Sequence, residues 1–173
     1  MRLNSSSTQK NSGFTLIELT LVIVIIGVLA AFALPRFADL SSSSKTASLE
    51  SVAGSMRSTI GIIRSKAYTQ GLSVTNANPG DQSAYLVTTE AGTSEVDWRN
   101  LCPESRAELV DTLEMSDHIG LVETGSLRIR LDNQYTKVGY GITSVAATAV
   151  GCYVLYDSFG DPNCTITIVT NDC

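Results

Sequence analysis

One stretch near the N-terminus constrains this chain more than any other feature. Only Thr15, Glu18 and Thr20 are polar in the 21 residues from Phe14 to Leu34. As an α-helix this stretch would be roughly 32 Å long, which matches a bilayer hydrocarbon core of about 30 Å. The remainder of the 173-residue chain is mixed in character and long enough for one folded domain. We therefore expect a membrane-spanning helix followed by a single globular domain.

Charges and cysteines place the two ends of that helix in different compartments. Arg2 and Lys10 precede the apolar stretch with no acid beside them, so the positive-inside rule predicts a cytoplasmic N-terminus. Four cysteines follow it, at positions 102, 152, 164 and 173. An even cysteine count in a small exported domain indicates up to two disulfides and an oxidising compartment. The sequence has no C-x-x-C pair and His118 is its only histidine, so it favours neither a zinc site nor a cofactor.

An apolar N-terminal stretch has three interpretations. A cleaved secretory signal would suit the small-x-small pattern Ala31-Phe32-Ala33, but the stretch is longer than the usual apolar core and carries an acid. A plain membrane anchor explains the length but leaves Glu18 without a partner, because no Lys or Arg lies within the stretch. A carboxylate at the centre of a bilayer costs about 2–3 kcal/mol on insertion scales. The third interpretation supplies the partner.

Cleavage just before Phe14 would create the missing positive charge. The new α-amine is largely protonated at neutral pH. Glu18 makes physical sense if a neighbouring processed chain brings that ammonium group close to it. This points to the assembly of many copies rather than to a solitary membrane protein.

The residues around this point resemble a known processing signal. The segment from Lys10 to Glu18 is similar to the signature of type IV pilins and of the related pseudopilins. The resemblance implies that a prepilin peptidase cuts after Gly13 and methylates the amine of Phe14. It also implies that Glu18 pairs with a neighbour's amine during assembly. The short leader and the Phe at the first mature position resemble the type IVa branch.

Two further segments extend the resemblance. Residues 34–40 and 151–154 resemble the mannose-sensitive haemagglutinin branch of type IVa pilins.

Pro35 removes a helix hydrogen bond, at a cost of about 3 kcal/mol in a regular interior, and Gly27 makes the helix more flexible, so the sequence predicts a kink. The family resemblance implies that the stretch between Gly27 and Pro35 unwinds when subunits enter a filament.

The expected fold is α+β and pilin-like, with a long N-terminal helix packed on a small antiparallel β-sheet. From Val52 to Ala67 apolar residues recur every three or four positions, which indicates one buried helix face. The sequence divides into a leader at 1–13, a membrane and filament-core helix at 14–34, the exposed half of the helix at 35–68, a connecting region with a short helix at 69–124, and a sheet with a disulfide-bounded loop at 125–173.

Local patterns predict individual elements of the C-terminal region. A period of two and turn residues predict strands at 84–88, 127–131, 136–142, 152–156 and 165–169. A short helix is expected from Pro103 to Asp117, with Leu109, Val110 and Leu113 facing inward. We also expect Trp98 to hold the loop at 70–92 on the core, and His118 to lie at the surface.

The cysteine pairing follows from reach. Cys164 and Cys173 lie at opposite ends of the last expected strand, and an extended segment of this length spans up to roughly 30 Å, far beyond the about 4.4–6.8 Å usual between bridged Cα atoms. Cys152 falls opposite the end of that strand, close to Cys173. We therefore expect a Cys152–Cys173 disulfide, which would close a C-terminal loop of the kind that pilins often have. Cys102 and Cys164 form the second expected pair.

Residues for catalysis or metal binding are harder to assign. No Ser/His/Asp set and no phosphate- or dinucleotide-binding motif is convincing, so we assign no catalytic residue and no metal ligand. Asp157 and Asp161 around Gly160 resemble a cation loop, but turn chemistry explains them equally well. Asn163-Cys164-Thr165 matches a glycosylation sequon, although a disulfide explains its cysteine better.

The charge is distributed unevenly. Residues 36–67 carry five basic residues against two acids, a net charge of +3, whereas residues 81–123 carry ten acids against two arginines, a net charge of −8. A solvated acidic surface and complementarity between stacked subunits both explain this pattern. Removal of Arg2 and Lys10 with the leader lowers the formal charge from −5 to −7, which does not favour nucleic-acid binding.

The leading hypothesis is a structural subunit rather than an enzyme. Its expected partners are copies of itself in a helical filament, the prepilin peptidase and an inner-membrane assembly platform. It would lie in the inner membrane before assembly and in an extracellular pilus afterwards, serving adhesion, aggregation or motility. A pseudopilin of a type II secretion system is the first alternative. A membrane-tethered enzyme or binding protein is the second, and it predicts that Glu18 is dispensable.

Overall fold

The computed structural model describes residues 13–160 and 162–173. They belong to two compact units, one ending at Leu40 and the other comprising Ser41–Cys173. The 54-residue helix α1, Leu16–Thr69, contributes residues to both units. We describe each unit by itself and call them the N-terminal segment and the head.

The N-terminal segment is a helix whose apolar side chains remain exposed. Ile26, Leu29 and Phe32 expose 59%, 63% and 74% of their surface. A helix satisfies its own backbone hydrogen bonds, which a chain in hydrocarbon requires. By length and composition, α1 is able to cross a membrane. Its assignment continues through Pro35.

The head follows α1 with short elements. A 3₁₀ turn at Gln82–Ala84 precedes a hairpin formed by β1, Leu86–Thr89, and β2, Gly92–Glu95. A one-turn helix, α2, covers Met115–His118. The main sheet is formed by β3, Leu127–Leu131, β4, Tyr135–Tyr140, β5, Cys152–Asp157, and β6, Thr165–Val169.

The main sheet is an antiparallel meander in the order β3-β4-β5-β6. Val138 pairs with Val154, and both are fully buried on the face toward the principal core. Gly139 pairs with Tyr153, and a Cβ atom at position 139 would fall 2.5 Å from the Cβ atom of Tyr153. A side chain does not fit there, so this position requires glycine for steric reasons.

The principal core of the head lies between α1 and the main sheet. The helix contributes Leu49, Val52, Ala53 and Met56, whose spacing of three and four residues puts them on one face. They pack with buried residues of the sheet and of α2, namely Leu127, Val138, Cys152, Val154, Tyr156 and Met115. The expected α+β fold, a long helix packed on an antiparallel sheet, is therefore confirmed.

Two smaller clusters complete the head. Farther along α1, Ile63 and Ala67 pack with Val87 and Val96 of the hairpin region and with Leu101. On the opposite face of the main sheet, buried residues of β5 pack with Ile142. The carbonyl of Trp98, itself buried, accepts a hydrogen bond from the N–H of Thr75 at 2.9 Å, which ties part of the preceding loop to the head.

The helix predicted from Pro103 to Asp117 is wrong. The segment before Met115 is not helical, and Asp111 has a φ of +62°, which is outside helical conformation. One carboxylate oxygen of Glu95 accepts the N–H groups of Glu108 at 2.7 Å and of Leu109 at 3.1 Å. A side chain from another segment thus fixes this loop. As a result Val110, expected inside, is 88% exposed.

The prediction of a single strand at 84–88 is also incomplete, because the structure has a hairpin of two strands there. Its first strand begins at Leu86 rather than Ala84, because Ala84 belongs to the 3₁₀ turn. The second strand, β2, was not predicted, since Thr93, Ser94 and Glu95 lack the apolar alternation of a strand. Ser94 and Glu95 are nevertheless fully buried.

Candidate processing and assembly site

The segment begins with a short non-helical stretch. Gly13, Phe14 and Thr15 precede α1, and Phe14 is 87% exposed. The peptide bond between Gly13 and Phe14, where the sequence predicts cleavage, is therefore outside regular secondary structure. The rest of the predicted leader lies outside the described residues.

Thr15 and Glu18 form a reciprocal cap at the start of α1. A carboxylate oxygen of Glu18 accepts the backbone N–H of Thr15 at 2.9 Å and its hydroxyl at 2.7 Å. The backbone N–H of Glu18 in turn donates to the Thr15 hydroxyl oxygen at 3.3 Å. This is a capping box, which satisfies donors that a helix N-terminus otherwise leaves free.

The cap changes the account of Glu18 given by the sequence. The sequence predicts that the Glu18 carboxylate has no partner before processing. In the structure, Thr15 of the same chain donates two hydrogen bonds to it. Thr15 was missed as a site residue, although the T-x-x-E spacing is the sequence signal of a capping box. These donors orient the carboxylate toward the N-terminal end of the helix but bring no full positive charge.

The surroundings of this carboxylate are apolar. Leu16, Ile17, Leu19 and Leu21 are all more than half exposed. An acid on such a surface favours contact with a cation when the surface is buried in lipid or protein, because desolvated charges are costly without a partner. The geometry suits an ammonium group that arrives at the helix N-terminus.

Gly27 and Pro35, the two predicted weak points, both lie within α1. A Cβ atom at Gly27 would meet no heavy atom within 4 Å, so no described contact requires glycine there. In the single chain both positions are helical. Their unwinding in a filament remains a prediction.

The four cysteines form two disulfides in the head. Cys152 bonds to Cys173 with a Cα–Cα distance of 4.8 Å, and Cys102 bonds to Cys164 with a distance of 5.9 Å. These are the two pairs that we expect from the sequence. Lys45 of α1 donates a hydrogen bond to the carbonyl oxygen of Cys173 at 2.7 Å. The C-terminal loop is thus held both to β5 and to the helix.

The other candidate residues have structural surroundings. His118 is half-buried rather than on the surface, and desolvation lowers the pKa of its imidazole against the opposing effect of Asp117. Asp157 accepts hydrogen bonds from Phe159 N–H and from the Gln134 amide, each at 3.0 Å, as a turn residue does. Asp161, the second residue of the suggested cation loop, lies outside the described residues.

Three of the ten acids in the region 81–123 fit neither interpretation of its charge. Glu95, Asp97 and Glu104 are almost fully buried in the head. These three of the ten acids therefore contribute neither to a solvated surface nor to contact between subunits.

Comparisons with known proteins agree with the geometry of the N-terminal segment. Residues 8–34 match the family model described as the prokaryotic N-terminal methylation motif. This range contains Gly13, Phe14, the Thr15–Glu18 cap and the apolar helix. The chain carries a prokaryotic N-terminal methylation motif. This motif includes apolar residues of α1 that are exposed in the structure.

Its relatives include major pilins from several bacteria. The chain is 52% identical to the type IV narrow pilus major component PilA5 of Thermus thermophilus over 50 residues, which are 29% of this chain and 43% of that protein. It is 46% identical to the type IV major fimbrial protein FimA of Dichelobacter nodosus over 48 residues, 28% and 31% of the two chains. Identity to the type IV major pilin protein PilA of Myxococcus xanthus is 56% over 36 residues, 21% and 16% of the two chains.

These similarities cover less than half of each relative. No solved structure matches the chain significantly. The family model covers the N-terminal segment, and the architecture of the head is described from its own core and disulfides.

Proposed function

We propose that this chain is the structural subunit of a type IV pilus. A prepilin peptidase cuts between Gly13 and Phe14 and methylates the new amine. The subunit waits in the inner membrane with its N-terminus toward the cytoplasm, and an assembly platform then adds it to an extracellular filament. The filament serves adhesion, aggregation or motility.

The observation that carries this proposal is the capped acid at the start of an apolar, exposed helix. Cleavage after Gly13 leaves Thr15 in the chain, so the cap at Glu18 survives processing. The mature N-terminus then lies one residue before the cap. A neighbour's ammonium group adds the charge that Thr15 does not provide, and burial in the filament core makes this ion pair stronger than it would be in water.

The exposed apolar surface supports the same proposal. A soluble monomer rarely leaves a contiguous apolar surface of this kind uncovered. Lipid covers it before assembly and the helices of other copies cover it afterwards. No catalytic chemistry is needed for either role.

Analysis of the native protein tests this proposal. Surface fibres are sheared from the cells that produce the chain, imaged by electron microscopy, and their subunits analysed by mass spectrometry. We expect abundant fibres composed of chains that begin at a methylated Phe14. A processed chain without fibres would instead support the pseudopilin alternative, and a chain that begins at Met1 or Leu34 would refute the proposal.

A further inference from the structure

Three carboxyl groups, one at the end of β2 and two in the loop that joins β2 to α2, are removed from solvent. Glu95, Asp97 and Glu104 expose 0%, 1% and 4% of their surface. Buried ionised carboxylates are costly unless cations or hydrogen-bond donors compensate them. The partners of each group therefore decide which of them carry charge.

Asp97 has the partners of an ionised carboxylate. One of its oxygens accepts the backbone N–H of Arg99 at 2.6 Å, and the other accepts the Arg99 guanidinium at 2.5 Å. The guanidinium lies 4.3 Å from the ring centroids of both Trp98 and Phe159. Arg99 is thus fixed in place and compensates one negative charge.

Glu104 lacks such compensation. Its Oε2 atom is buried and receives no hydrogen bond from any donor in residues 13–160 and 162–173. Burial raises the pKa of Glu104 to about 9, and the negative charges of Asp97, Glu95 and Glu108 act in the same direction against the weaker effect of Arg99. Glu104 is therefore neutral at pH 7 and able to donate a hydrogen bond to Asp97. Burial raises the pKa of Asp97, and the contacts with Arg99 and this hydrogen bond oppose that shift.

Glu95 and Glu108 face the cluster from the hairpin and from the loop. Glu95 uses one oxygen to bind two loop N–H groups, while its Oε1 atom has no partner among the described residues. Glu108 accepts the side-chain amide of Gln82 at 3.0 Å. Neither group brings a positive charge to Glu104.

Tyr156 faces the cluster from β5. Its hydroxyl donates to the carbonyl of Pro103 at 2.6 Å, and burial together with the nearby carboxylates raises its pKa well above the ordinary value. Arg64 of α1 opposes that shift at Tyr156. The phenol is therefore neutral and fixes the backbone next to Glu104 to the main sheet.

We propose that Glu104 and Asp97 share one buried proton, and that this proton locks the loop between β2 and α2 in its folded conformation. The lock works because a neutral Glu104 removes one buried charge and supplies Asp97 with a donor in addition to those of Arg99. When Glu104 loses its proton, two buried carboxylates that line one cavity with Arg99 depend on its guanidinium for positive charge. Opening of the loop to water then lowers the free energy, because water solvates both carboxylates.

The direction of the pH dependence follows from proton linkage. The pKa of Glu104 is higher in the folded head than in the unfolded chain, so folding takes up a proton at pH values between the two. The stabilisation is complete below the ordinary carboxyl pKa and is lost as pH rises through about 9. Over that range the unfolding equilibrium constant rises by up to about tenfold per pH unit from this group alone.

The test measures unfolding of the full chain in detergent micelles with urea at pH 5 to 9. The chain has a single tryptophan, Trp98, next to the cluster, so its fluorescence reports unfolding of the head directly. Glu104→Gln keeps the shape and a hydrogen-bond donor but does not titrate. Glu123→Gln is the matched control, because Glu123 is an exposed acid paired with Arg130 at 2.7 Å.

We expect the unfolding equilibrium constants of the natural chain and of Glu123→Gln to rise steeply with pH. In Glu104→Gln the contribution of this group, up to about tenfold per pH unit, should be absent. Equal slopes in all three proteins would overturn the proposal. So would stabilisation of the natural chain, but not of Glu104→Gln, by calcium chloride at pH 8, since a bound cation would then replace the shared proton.

Discussion

The N-terminal segment and the head use apolar residues in opposite ways. In the segment, Ile26 exposes 59% of its surface, while in the head Met56, on the same helix α1, is fully buried. The head also contains two disulfides. The head therefore supplies its own core, whereas the segment leaves its apolar side chains exposed.

This difference shows that two parts of one helix can be adapted to different surroundings. Both parts of α1 are rich in apolar residues, but only the part in the head alternates them with polar residues so that a single face is buried. The segment is apolar all round, which suits a bilayer or a bundle of copies. Substitutions that act on one region should therefore leave the other intact.

The largest expected effect comes from the disulfides of the head. Replacing Cys102 and Cys164 by Ser removes a link with a sequence separation of 62, and replacing Cys152 and Cys173 removes one with a separation of 21. The loop-entropy model predicts losses of about 4 and about 3 kcal/mol in the free energy of unfolding. Urea unfolding followed by Trp98 fluorescence measures both. A larger loss for the shorter link would show that strain or unfolded-state structure outweighs loop entropy.

A matched pair of truncations on α1 tests the contrast itself. We expect Met56→Ala to reduce the stability of the head by about 3 kcal/mol, because it leaves a cavity in the principal core. Ile26→Ala should leave the head's unfolding midpoint unchanged, because Ile26 is exposed in the other unit. If Ile26→Ala destabilised the head as much as Met56→Ala does, the division into two independent regions would be wrong.

The smallest effect concerns the helix cap. Thr15→Val removes the hydroxyl that donates to Glu18 while keeping the branched shape, and the loss of an N-cap interaction costs about 1 kcal/mol. Hydrogen exchange of the first turn of α1 should be faster in this variant, and Thr15→Ser should retain the natural rate. Protection unchanged in Thr15→Val would show that the cap does not stabilise the helix start.

The sequence predicted features that depend on regular local patterns. The long helix, its buried face and the strands of the main sheet follow from periods of 3.6 and 2. The length of the last strand indicated the Cys152–Cys173 pair and left Cys102 with Cys164 as the second pair, and the structure has both. At the site, Glu18 was singled out because an acid in an apolar stretch is costly, which is visible without any structure.

The features that were missed depend on contacts between distant segments. The loop after Pro103 resembles a helix in composition, but the carboxylate of Glu95 binds its N–H groups and holds it in another shape. The sequence also gave no sign that Glu95, Asp97 and Glu104 are buried, since acids usually lie at the surface. The cap at Thr15, by contrast, was visible in the T-x-x-E spacing and was overlooked.

Filament assembly by charge-neutral variants of Glu18 tests the central claim most directly. In cells that produce the natural chain as surface fibres, we predict that Glu18→Ala is inserted and keeps a folded head but yields no fibres. Glu50→Gln, which neutralises an exposed acid on the head part of α1, should assemble normally. Fibres of natural abundance from Glu18→Ala would contradict this claim, because the acid at the start of α1 would then have no role in joining one copy to the next.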